Sequence, residues 1–123
     1  MLLFDTEFSH DSYDTAENFP RSIWEYVTLG TRLSFYLRNF AVFAKVGSLG
    51  KQGKLTPEKQ AAYALKNLRI VESCGGKFHI RGLDNLQKTS QPAVIISNHM
   101  SLLETAVIHT FLRPRRDFCF VIK

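Results

Sequence analysis

The stretch Ala93-Val94-Ile95-Ile96-Ser97 constrains the fold more than any other part of this 123-residue chain. It holds three consecutive β-branched residues and no charge. That is the pattern of a strand buried on both faces, and such strands belong to parallel sheets covered by helices. Helical spacing follows directly. Leu103, Val107 and Phe111 fall in one row with Leu102 and Ala106 beside it, and Arg113-Pro114-Arg115-Arg116 stops the helix. Phe118 to Ile122 then reads as a further strand. Strand, helix and strand in that order predict a βαβ unit with parallel strands. The expected fold class is α/β.

The elements before this unit are expected as follows. Residues 1–19 carry five acids (Asp5, Glu7, Asp11, Asp14 and Glu17), no Lys or Arg, and no helical or strand period, so they read as a flexible acidic leader. Pro20 opens a helix to about Val46 that holds Trp24, Tyr26, Phe35, Tyr36, Phe40 and Phe43, with Gly30 as a point where it kinks or divides. Gly47 to Lys54 reads as a flexible basic connector. Thr56-Pro57-Glu58 is a helix start, with Thr56 as N-cap, Pro57 at the first helical position and Glu58 near the positive end of the dipole. Ala61, Leu65, Leu68 and Val71 give that helix one buried face, and Cys74-Gly75-Gly76 ends it. Lys77 to Arg81 alternates as a strand does, and Gly82 to Leu86 is a turn. The expected organisation is a leader over 1–19, a helical element over 20–74 and an α/β part over 75–123.

Charge and cysteine usage narrow the function. The chain has a formal net charge of +5, and every Lys and Arg lies after residue 19. A basic body suits an anionic partner: a membrane surface, phosphorylated substrates or nucleic acid. Nucleic acid is not expected, because the aromatics cluster on a helix rather than among bases on a sheet face. Cys74 and Cys119 show no ligand spacing, which leaves a zinc site without support. No run of eighteen apolar residues exists to cross a bilayer. The aromatic helix at 20–46 has two candidate burial partners, the domain core and the interface of a membrane, where aromatic rings and long basic side chains both fit.

The chemistry-bearing stretch is Ser97-Asn98-His99-Met100-Ser101-Leu102-Leu103-Glu104. It places a histidine where a buried strand meets a helix, the position at which open α/β sheets hold their sites. Glu104 follows five residues later, in the first turns of the helix, from where it can turn back toward the imidazole. A carboxylate accepting from one ring nitrogen leaves the other free as a base for an alcohol attacking an acyl carbonyl. Asn98 can brace the turn and Ser101 can cap the helix. A histidine at a helix start is also commonly a simple hydrogen-bonding residue, and spacing alone does not choose between these.

The segment Ile80-Arg81-Gly82-Leu83-Asp84-Asn85-Leu86, followed by Ala93-Val94-Ile95-Ile96-Ser97-Asn98-His99, resembles the lysophospholipid acyltransferase family that includes the 1-acyl-glycerol-3-phosphate acyltransferases. The family's hallmark is His, four residues, Asp. This chain has His99 with Glu104 in the acidic place, which keeps the charge and adds a methylene. The resemblance covers roughly 77–123. It implies His99 as general base, Glu104 as its orienting carboxylate, and Asn98, Ser101 and Lys123 on the substrate side. It further implies transfer of a fatty acyl group from acyl-CoA or acyl-carrier protein to a lysophospholipid hydroxyl, that of lysophosphatidic acid, on the cytoplasmic face of a membrane. No bound metal or cofactor is implied. The family's later Gly-x-x-Phe-x-x-Arg and Phe-Pro-Glu-Gly-Thr-like motifs do not occur, so the chain is expected to correspond to the N-terminal part of such an enzyme. A catalytically inactive truncated fragment of such an enzyme is the alternative expectation, with a basic nucleic-acid-binding module ranked behind it.

Overall fold

The computed structural model describes residues 8, 10–27, 32–88, 90–98 and 100–119. Its elements are β1 (Tyr13–Asp14), α1 (Ile23–Val27), α2 (Leu33–Lys51), α3 (Pro57–Ser73), β2 (His79–Ile80), a 3-10 turn (Leu83–Gln87) and α4 (Leu102–Leu112). The architecture is mixed: helices packed around α3, with a small two-stranded antiparallel sheet in which Tyr13 faces Ile80 and Asp14 faces His79.

α3 is the central element because both of its ends are specified locally. At its start the Thr56 hydroxyl accepts from the Lys59 N–H at 3.3 Å, and Pro57 occupies the first helical position, where no N–H is needed. At its end the N–H of Gly75 donates to the Glu72 carbonyl at 2.9 Å and that of Gly76 to the Val71 carbonyl at 2.9 Å. This double closure needs a left-handed residue, supplied by Gly75 at φ +88. The predicted face is present: Ala61 and Leu68 are buried and Leu65 and Val71 partly so.

The core lies between α3, α4 and the sheet. Phe8, Tyr13, Leu68, Leu83, Val107 and Phe111 form one buried cluster, with Leu65, Phe78, Ile80, Leu86, Leu103 and Ala106 against it. Phe8 meets Phe111 edge to face at 5.2 Å between ring centroids and Tyr13 at 4.9 Å, arrangements that suit the ring quadrupoles.

Several expectations need correction. The run 93–97 has no regular structure, pairs with no strand and is exposed, so no βαβ unit and no parallel sheet exist among the described residues. A strand apolar on both faces is stable only where neighbouring strands take its backbone groups and other elements cover it, and no described residues supply these. Phe118 and Cys119 are likewise irregular, and residues 120–123 lie outside the described residues. The strand expected over 77–81 exists only as His79–Ile80, and its partner comes from the segment read as a leader.

That segment is docked over its described part. Phe8 is fully buried, Thr15 N–H donates to the Phe78 carbonyl at 3.0 Å, and Leu83 N–H donates to the Asp11 carbonyl at 2.9 Å. Beneath it lies a buried polar knot. Glu72 is 1% exposed, and its carboxylate accepts from the Tyr13 hydroxyl at 2.5 Å, the Thr15 hydroxyl at 2.7 Å and Arg69 at 2.8 Å. A buried carboxylate is tolerable only when supplied with donors in this way.

The helix expected over 20–46 is described as α1 and α2, on either side of 28–31, which lie outside the described residues. α2 also continues through Gly47 and Gly50 to Lys51, replacing most of the expected connector. A glycine costs a helix interior about 1 kcal/mol. An established helix gains a hydrogen bond with each added residue, and the last turn here is closed by Gln52 and Lys54 N–H groups donating to the Ser48 and Leu49 carbonyls.

Candidate functional site

The N-terminus of α4 is a complete capping box. The Ser101 hydroxyl accepts from the Leu103 N–H at 3.2 Å, and the Glu104 carboxylate reaches back to accept from the Ser101 N–H at 3.1 Å. The Met100 N–H lies 3.0 Å from both carboxylate oxygens. Ser101 sits in extended backbone, φ −155 and ψ 164, which turns the chain into the helix. The sequence requires this arrangement locally: a serine N-cap with a glutamate three positions on satisfies donors that the first helical turn otherwise leaves open.

The expected site residues fall as follows. Ser101 takes the capping position read from the sequence. Glu104 turns back across the helix start and meets the backbone of Met100, the residue directly after His99. Asn98 is exposed on the approach to the helix. His99 and Lys123 lie outside the described residues. Chemically, the arrangement holds a partly buried carboxylate over the positive end of α4, and an anion there is favoured by the helix dipole. The segment entering it is apolar and uncovered: Val94 and Ile96 are each 89% exposed, and Met100 and Leu102 are exposed as well.

Two other titratable clusters were not foreseen. On β1 and β2, Asp14 accepts from His79 Nδ1 and from Arg81, each at 2.8 Å. These partners, Arg81 first and His79 second, hold its carboxyl below the usual aspartate range. The pairing depends on antiparallel register between residues 65 positions apart, and no sequence period signals it. In the last turns of α4, His109 is half-buried against α3, with its Nε2 at 2.9 Å from the Gln60 amide nitrogen and its ring 5.0 Å from that of Phe118. Burial lowers its pKa, and a neutral imidazole can accept from the amide. At the same end of α3, and part of the same cluster, Arg113 pairs with Glu58 at 3.0 Å and with Asp117. No group of three or more His, Cys, Asp or Glu suited to a metal ion occurs among the described residues.

Comparison with protein-family models, with curated proteins and with solved structures finds no match to this chain in any of the three.

Proposed function

We propose that the chain carries the acid–base part of a lysophospholipid acyltransferase site, with His99 as general base and Glu104 as the carboxylate that orients it. The observation that supports this reading is the placement of Glu104, whose carboxylate is folded back over the start of α4 onto the backbone immediately after His99. In the proposed reaction the imidazole takes the proton from the hydroxyl of lysophosphatidic acid. The oxygen attacks the thioester carbonyl of acyl-CoA or acyl-carrier protein, the thiolate leaves, and the imidazolium returns the proton to it. The product is phosphatidic acid, and no acyl-enzyme intervenes. The acceptor is a membrane lipid, so the reaction is placed at the cytoplasmic face of a membrane. No helix among the described residues is long and apolar enough to cross one.

A specific observation favours a second reading. Glu104 makes the hydrogen bonds of a capping box, which suffices to explain a glutamate there without catalysis. The two readings part in an assay of labelled acyl-CoA with lysophosphatidic acid. Under the catalytic reading, His99→Ala lowers turnover by about two to four orders of magnitude, while thermal stability is unchanged. Turnover equal in His99→Ala and wild type, or no turnover in either, overturns it in favour of a non-catalytic chain.

A further inference from the structure

α2 is built with its polarity reversed. Its three buried residues are Ser34, Asn39 and Val42, two of them polar, and Arg38 also turns inward to donate to the Ser73 hydroxyl at 2.9 Å. Its outward face carries Leu33, Tyr36, Leu37, Phe40 and Phe43, all exposed, with Phe40 the most so at 73%. These positions recur at helical spacing and form one uncharged stripe of roughly 15 Å at 1.5 Å per residue. α1 extends the same character, because Ile23, Trp24, Tyr26 and Val27 are all exposed. An apolar stripe that wide on a helix whose polar side is already packed is an interaction surface.

The charges beside it choose the partner. Between residues 20 and 54, apart from the inward-turned Arg38, stand Arg21, Arg32, Lys45, Lys51 and Lys54 against the single acid Glu25, and Arg32, Lys45 and Lys51 are exposed. Aromatic rings and aliphatic side chains flanked by bases match the headgroup layer of an anionic lipid surface, with rings at the boundary and bases at the phosphates. We propose that the outward face of α1 and α2 docks in the plane of an anionic lipid bilayer, with Leu37 and Phe40 as its central anchors. This deepens the membrane location proposed above by naming the surface. It rests on α1 and α2 rather than on His99 and Glu104, so the two fail separately.

Trp24 is the chain's one tryptophan and lies on this surface, so its emission reports docking in the intact protein. The expected result is a blue shift on mixing with vesicles of phosphatidylcholine and phosphatidylglycerol, much weaker with phosphatidylcholine alone. Leu37→Glu with Phe40→Glu weakens binding at least about tenfold. Lys45→Glu with Lys51→Glu lowers binding to anionic vesicles by about tenfold. Circular dichroism of each variant matches wild type, since all four side chains are exposed. Ile96→Ser, in the other exposed apolar stretch, binds as wild type does. No shift with either vesicle, equal binding of Leu37→Glu/Phe40→Glu and wild type, or loss of binding in Ile96→Ser overturns the proposal. A vesicle-free dimer that the Leu37 and Phe40 changes dissolve also overturns it, by identifying a second copy as the occupant. His99→Ala binds vesicles normally whatever its activity, which separates this test from the catalytic one.

Discussion

Glu72 shows how much one buried carboxylate can hold in place. It joins α3 to Tyr13 and Thr15 and draws in Arg69, which also donates to the Tyr13 hydroxyl at 3.0 Å and sits over the Phe19 ring at 5.6 Å. Removing the carboxylate takes the acceptor from two buried hydroxyls and the ion partner from a half-covered guanidinium. Glu72→Ala is expected to cost about 3 kcal/mol of stability in urea unfolding and to open residues 10–19 to limited proteolysis. His109 gives a second prediction at this scale. Burial lowers its pKa from 6.5, so the folded state favours the neutral ring. Its contribution is fully present above pH 6.5 and is lost as pH falls through the lowered folded value. Thermal midpoints of wild type should therefore drop more steeply from pH 6.5 to 5 than those of His109→Gln. Parallel curves would remove His109 as the cause.

Among the elements, α3 and α4 were legible because their signals are local. A Thr-Pro start, a glycine close and a Ser-x-x-Glu box each act within four residues, and the apolar rows fall at 3.6 spacing. The run 93–97 was not, because a strand is a property of its neighbours as much as of its residues. Lying uncovered, with six residues from Ala93 to Asn98 free of charge and proline, it has the make-up of an aggregation-prone window. Replacing Val94, which is 89% exposed, with Lys should raise the concentration at which the protein scatters light, with no loss of thermal stability. The orientation of α2 was also hidden. Its aromatic content suited the core and a membrane interface equally, and only the packed Ser34 and Asn39 show which side faces inward.

At the scale of the whole molecule, the helical frame and the capping residue Ser101 were readable from the sequence, and the closure of the fold was not. Phe8 and Tyr13 stand among polar and acidic neighbours with no period to mark them as core, yet they complete the cluster around Leu68 and Phe111. Nor does any local pattern tie Asp11 to Leu83 and Asp84, where backbone and side-chain oxygens accept two bonds at 2.9 Å. These are contacts between distant parts of the chain, and sequence periodicity reports only near ones. The polar knot at Glu72 was missed for the same reason, since Tyr13 and Thr15 stand 59 and 57 positions from the carboxylate they bond.

The seating of Phe8 against Phe111 has a consequence in time. During synthesis Phe8 leaves the ribosome about 100 residues before its partner, an interval of roughly 5 to 20 seconds at ordinary elongation rates. Over that interval α2 and α3 can already pair through nearby contacts, while the Phe8 ring still lacks the Phe111 edge that completes its burial. Phe8 is thus made long before its pocket is complete, and for those seconds it is open to chaperones and proteases that the finished fold turns away.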